Sequence, residues 1–121
     1  MRPAPGSGAG PHRGWSPRLG LVRVHGDSML PTLRDGDRLL VSYRREVVPG
    51  AVVVARFADG TLAVKRATER RTTAAGAAGW WLLSDNPGRG VDSRHRGPVA
   101  PEQVLAVVLG RVWPRPRPVG D

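Results

Sequence analysis

Short runs of β-branched and aliphatic residues alternate with Gly, Pro, Asp and Asn along most of this chain, and no segment keeps a long helical periodicity. Leu21 to Val24 reads as a first short strand. After it come a loop through Pro31 and the turn Arg34-Asp35-Gly36-Asp37, which feeds a strand from Arg38 to Tyr43. Pro49-Gly50 is a turn, Ala51 to Phe57 a strong strand, and Ala58-Asp59-Gly60 an Asp-Gly hairpin loop that returns the chain along Thr61 to Thr68. Glu69 to Gly79 reads as a loop or strand edge, Gly79 to Leu83 as a strand, and Val104 to Val112 as the last one; Pro101 to Gln103 starts no more than a short helical turn. The pattern predicts an all-β fold, a coiled sheet or partly open β-barrel with little helix.

Residues 1–20 and 114–121 are rich in Pro, Gly and Arg and bury too little apolar surface to order themselves. They read as disordered tails around one folded domain at 21–113. A chain of 121 residues suits one modest core. With no cysteine there is no disulfide frame and no thiol nucleophile, and no metal-ligand cluster is visible, so no metal and no cofactor is expected. No apolar run approaches the roughly twenty residues that span a bilayer, and the first residues lack the apolar core of a signal peptide. The expectation is a soluble, cytoplasmic protein without a membrane anchor. A net charge of +9 raises the question of nucleic acid, but the arginines are scattered and no nucleic-acid signature is legible, so no such partner is expected.

Lysine and arginine together number 19, and a single one of them, Lys65, is lysine. Arginine keeps its proton in proteins, so a position that needs a neutral amine cannot use it. Lys65 is therefore a candidate general base. On the predicted strand Ala63, Lys65 and Ala67 share one face, and Leu62, Val64 and Arg66 share the other. If Leu62 and Val64 pack the core, the lysine faces a cleft lined by small side chains. Ser28, in the loop His25-Gly26-Asp27-Ser28-Met29-Leu30-Pro31, is a nucleophile that such an amine could activate without histidine. A Ser/His/Asp site has weaker support: His12 lies in the tail, His25 is in the same loop as Ser28, and His95 sits in a charged turn.

The segments Gly26-Asp27-Ser28-Met29-Leu30-Pro31-Thr32-Leu33, Gly36-Asp37, Val64-Lys65-Arg66, Ser84-Asp85-Asn86 and Asp92-Ser93-Arg94, in that order, resemble the boxes of the signal peptidase I and LexA-like Ser-Lys proteases. The resemblance implies an all-β catalytic core, a serine endopeptidase, Ser28 as nucleophile and Lys65 as base. It implies an oxyanion hole built on the Ser28 N–H, with Gly26 where some members carry a hydroxyl. It also places Gly90 where some members carry a serine that holds the lysine, leaving the group that orients Lys65 unidentified. Asp85, Asp92, Ser93 and Arg94 are expected to support the site. Asp85 and Asn86 suit a turn closed by local hydrogen bonds, and Met29, Leu30 and Pro31 are expected to shape the substrate groove.

The lack of an anchor, with Gly79-Trp80-Trp81-Leu82 and Arg111-Val112-Trp113-Pro114, is similar to the maturation proteases of nickel-type superoxide dismutase. This likeness implies that a short N-terminal propeptide is removed from a cytoplasmic precursor of that enzyme. Processing of another precursor, a basic nucleic-acid-binding module and a non-catalytic interaction domain stay open as alternatives.

Overall fold

The computed structural model describes residues 18–119. Among them, seven strands form one antiparallel sheet: β1 Leu19–Arg23, β2 Arg38–Ser42, β3 Val52–Arg56, β4 Leu62–Thr72, β5 Ala78–Leu83, β6 Val104–Trp113 and β7 Arg117–Pro118. Helix is confined to one turn, α1, at Ser93–Arg96 and a 3-10 turn at Pro101–Gln103. The protein is mainly β, as the alternation predicts. The sheet runs β1-β2-β6-β3-β4-β5, with β7 added on β6.

Register shifts interrupt the β2–β6, β3–β6 and β4–β5 ladders. Bulges of this kind bend strands and increase twist. The sheet coils as a result, so that β1 and β4, far apart in strand order, line one cavity. The β3–β4 hairpin is built as its sequence suggests: Gly60 takes a φ of +90°, and the Asp59 carboxylate accepts from the Thr61 N–H at 3.0 Å.

Coiling gives the sheet two buried faces. Met29, Leu33, Leu39, Val41, Val52 and Val108 belong to one cluster, while Val53, Ala55, Ala67, Trp80, Leu82 and Val107 belong to a second on the opposite side. The expectation that Leu62 and Val64 pack the core, leaving the lysine face open, needs correction. Val64 does pack against the first cluster, but Leu62 is 57% exposed, and the face of Ala63 and Ala67 is itself covered by the second cluster. Lys65 is thus itself buried, at 3% exposed, on a strand whose other residues are mostly exposed or half-buried.

Both ends are folded further than their composition suggests. Leu19 and Gly20 are already paired in β1. Beyond Trp113 the chain turns back, Arg117 and Pro118 pair with β6, and Val119 is buried in the first cluster. One apolar residue in a Pro/Arg stretch is enough to anchor it, because β6 offers an unpaired edge there. The rest of the predicted N-terminal tail, before residue 18, and residues 120 and 121 lie outside the described residues. Glu69 to Gly79, read as loop or strand edge, divides between β4, a turn around Gly76 and β5.

Val119→Ala should lower stability by about 1–2 kcal/mol, the cost of deleting buried methyls. The same change at Val112, which is 39% exposed, should stay within about 0.5 kcal/mol. Chemical denaturation midpoints of the two variants check the difference.

Candidate active site

The loop between β1 and β2 closes on itself before it presents a side chain. Val24 N–H donates to Asp37 C=O at 2.8 Å, and Gly36 N–H donates to Val24 C=O at 2.8 Å. Gly26 takes a φ of +84°, which a side chain would disfavour, and its N–H donates to the Asp35 carboxylate at 2.7 Å. Met29 and Leu33 root the loop in the core, being 1% and 0% exposed. Ser28, next to Met29, is held at the mouth of a cavity. No hydrogen bond among the described residues engages the Ser28 N–H.

Lys65 reaches the same point from β4. Its side chain is 3% exposed, and its Nζ lies 2.9 Å from Ser28 Oγ and 3.0 Å from Ser84 Oγ. Ser84 follows the last residue of β5. The register pairs Arg66 with Leu83, so one step on, Ser84 stands opposite Lys65 and faces the same way. The Ser84 hydroxyl donates to the Arg89 carbonyl at 3.0 Å. Burial holds the Lys65 amine below the ordinary lysine value; the Asp92 carboxylate pulls it up, and the Arg94 guanidinium adds to the lowering.

Gly90, in the segment that leads to α1, packs directly on this pair. A Cβ there would stand 2.8 Å from Ser28 Cβ and 3.2 Å from Lys65 Nζ, and the residue has a φ of +74°. Glycine is required at this position on both counts.

Asp92 is fully buried and caps α1, accepting from Arg94 N–H at 3.0 Å, while His95 Nδ1 accepts from the Asp92 N–H at 3.3 Å. The other Asp92 oxygen accepts from Ser84 N–H at 2.9 Å and from Arg94 Nη2 at 2.9 Å. Burial alone would raise this carboxyl, yet those hydrogen bonds hold it down at about 2. Ser93 Oγ accepts from Leu82 N–H at 2.8 Å. Asp92 and Ser93 therefore tie α1 to the end of β5, immediately behind Ser84, and Arg94 completes the cap.

Asn86 opens the local turn that the sequence suggests, its C=O accepting from Arg89 N–H at 3.2 Å, but the Asp85 and Asn86 side chains do not close it. Their side chains reach across to the Ser28 loop and β4. Asp85 takes a two-pronged contact from Arg66, with Nε and Nη2 each at 2.8 Å, and also accepts from the Thr32 hydroxyl. Burial raises the Asp85 carboxyl, but the Arg66 and Thr32 contacts outweigh it and leave it below the ordinary value. Asn86 N–H donates to Ser28 C=O, and Asn86 Nδ2 donates to Asp27 C=O, both at 2.9 Å. The box clamps the serine loop from outside.

Beside Ser28 and Lys65 opens a cavity of about 620 Å³, walled by Leu21 and Val22 of β1, Leu62 and Val64 of β4, Val54 and Val91. Of the three residues expected to shape a substrate groove, Met29 borders it, but as a core side chain. Leu30 and Pro31 lie outside the lining. Among the described residues no cluster of His, Asp or Glu could hold a metal ion, and no helix is long and apolar enough to cross a membrane.

The structure brings Ser28 and Lys65 together and sets Asp85, Asp92, Ser93 and Arg94 around them. Ser84 is the site residue that sequence reasoning passes over. Its signal is the strand register, which the chain alone leaves open across the β4–β5 turn. In comparison with known proteins, the family described as Peptidase S24-like matches residues 15–100. Mitochondrial inner membrane protease subunit 1 of Schizosaccharomyces pombe is 31% identical over 112 residues, covering 75% of this chain and 71% of that protein.

Because the Asp92 carboxyl sits near 2, below its usual value near 4, its contribution to stability is present above pH 4 and lost as pH falls toward 2. That contribution is on the order of 2 kcal/mol. Stability measured by urea denaturation should fall across this window, and Asp92→Asn should flatten the fall while lowering stability at neutral pH.

Proposed function

We propose that this chain, which belongs to the Peptidase S24-like family, is a serine endopeptidase in which Ser28 is the nucleophile and Lys65 the general base. The observation that carries the reading is the 2.9 Å approach of a buried, charge-disfavouring amine to a serine hydroxyl at the mouth of an apolar cavity. The neutral amine takes the Ser28 proton as Oγ attacks the scissile carbonyl carbon. The resulting ammonium gives that proton to the departing amine, leaving an acyl-enzyme. The amine then deprotonates a water that attacks the ester, and the proton returns to Ser28 as the acyl group leaves. The Ser28 N–H, engaged by no other protein group described, is placed to donate to the oxyanion.

Substrate recognition follows from strand edges. Residues 62–65 of β4 pair with β3 but precede the part of β4 that pairs with β5, and β1 is the outer strand at the far end of the sheet. An extended peptide can pair with either edge, and apolar side chains along it suit Leu21, Leu62 and Val91. A precursor with a flexible, apolar stretch near its terminus fits these features. The precursor of nickel-type superoxide dismutase is the first to test, on its motif resemblance. The nucleic-acid reading has less support, because Arg66, Arg71, Arg89, Arg94, Arg96 and Arg111 pair with carboxylates and Arg38 and Arg70 stack on tryptophans.

Incubation with that precursor and with a mixed peptide library, followed by mass spectrometry, should show endoproteolytic cleavage. Ser28→Ala and Lys65→Arg should each lower it by at least about a thousandfold while melting as cooperatively as the parent. The ascending limb of kcat/KM against pH should lie below the ordinary lysine value of about 10.4. Full activity in Lys65→Arg would remove the base assignment, and cleavage of library peptides but not of the dismutase precursor would redirect the substrate.

A further inference from the structure

We infer that Ser84 is the residue that fixes the direction of the Lys65 amine, and that it does so through a hydroxyl whose own proton is committed to the Arg89 carbonyl. The inference rests on the Ser28–Lys65 reading above.

The available protons decide which way these contacts run. A serine hydroxyl carries one hydrogen and two lone pairs, and a neutral lysine amine carries two hydrogens and one lone pair. Ser84 Oγ lies 3.0 Å from the Arg89 carbonyl oxygen, which can only accept. The Ser84 hydrogen therefore goes to Arg89, and the 3.0 Å contact with Lys65 Nζ must use a lysine hydrogen. That leaves the single lone pair of the amine unclaimed by Ser84. Ser28 Oγ, at 2.9 Å, can direct its own hydrogen to it. A Ser84 hydroxyl without the Arg89 acceptor would be free to donate to the same lone pair and compete with Ser28 for the base.

The backbone around Ser84 is built to keep this arrangement. Its N–H is held by the buried Asp92 carboxylate at 2.9 Å, and the β5 residue two before it, Leu82, is held by Ser93 Oγ at 2.8 Å. Arg89 is held on the other side, where its side chain pairs with Asp27 of the serine loop at 2.9 Å and its N–H donates to Asn86 C=O at 3.2 Å. Gly90 follows Arg89 and has neither a side chain to offer the amine nor space for one. With position 90 closed to any side chain, the amine meets a hydroxyl from the β5 side instead. Ser84 does not touch the cavity and is not a catalytic residue. It acts by positioning.

Because Lys65 is the one lysine of the chain, labelling with 13Cε-lysine yields a single side-chain resonance whose titration reads this amine without any substrate. Ser84→Ala should displace its midpoint by about half a pH unit or more, and Ser84→Thr, which keeps the hydroxyl, should leave it where the parent has it. In the cleavage assay Ser84→Ala should lose about tenfold or more in kcat with KM little changed, and Ser84→Thr should stay within about threefold of the parent. A Ser84→Ala protein with the parent's lysine titration and kcat would overturn the inference. So would a Ser84→Thr protein as impaired as Ser84→Ala, since packing and not the hydroxyl would then be at work. If the parent cleaves nothing, the protease reading fails, while the lysine titration still decides the role of Ser84.

Discussion

An amine taken out of water must find its hydrogen bonds within the protein or cost several kcal/mol. Most of the structure around Lys65 is arranged to meet that demand from one side while leaving the other to Ser28. Lys65 is 3% exposed although much of β4 is not buried, and this local burial removes water from the amine. Ser84 then arrives on β5 at the matching register position. The carboxylate that could have paired with the amine, Asp92, is turned instead toward the Ser84 N–H and Arg94. Had Asp92 contacted Lys65 directly, the charged form would have been favoured and the proposed base lost. The field of Asp92 still reaches the amine, and the Arg94 guanidinium on the same carboxylate offsets part of it.

This division of labour explains why arginine could spread over the rest of the chain. Arginine is suited to fixed, two-pronged contacts, and here it makes them where the fold needs a brace: Arg66 on Asp85, Arg94 on Asp92 and Arg89 on Asp27. None of these positions requires a change of protonation. In the proposed mechanism Lys65 does, and a guanidinium in its place would keep its proton throughout.

The parts legible in the sequence are those set by local chemistry. The six longer strands follow from runs of β-branched residues between turn signals, with boundaries displaced by a residue or a few, and the Asp59-Gly60 hairpin follows from its turn residues. The pairing of Ser28 with Lys65 is legible through the motif order and the solitary lysine. What depends on sheet coiling was not legible. Leu62, expected in the core, lies exposed on the cavity rim, because the first residues of β4 precede the part that pairs with β5 and have no strand on that side. Asp85 and Asn86 suit a local turn equally well by composition, and only the fold shows that their partners lie on the serine loop and β4. Ser84 was hidden for the same reason: a serine beside an Asp-Asn pair has no local mark that distinguishes a hydroxyl aimed at solvent from one aimed at a buried amine.

The C-terminal segment illustrates how a site recruits distant chain. Val119 joins the cluster that contains Met29 and Leu33, the two residues rooting the serine loop, and the Arg117 guanidinium donates to the carbonyl of Thr32 in that loop. Asp85 holds the Thr32 hydroxyl from the opposite side. The loop is therefore gripped at Thr32 by β7 and the Asp-Asn box together, at Ser28 and Asp27 by Asn86, and at its ends by the Val24, Gly36 and Asp37 backbone. A serine on a free loop would sample many positions, and only a small fraction would lie within reach of the Lys65 amine. Lys65 is buried with its Nζ already held by Ser84, so the loop has to bring Ser28 to it. Segments with no catalytic chemistry of their own, down to a Pro/Arg-rich terminus, are drawn into the site for that purpose.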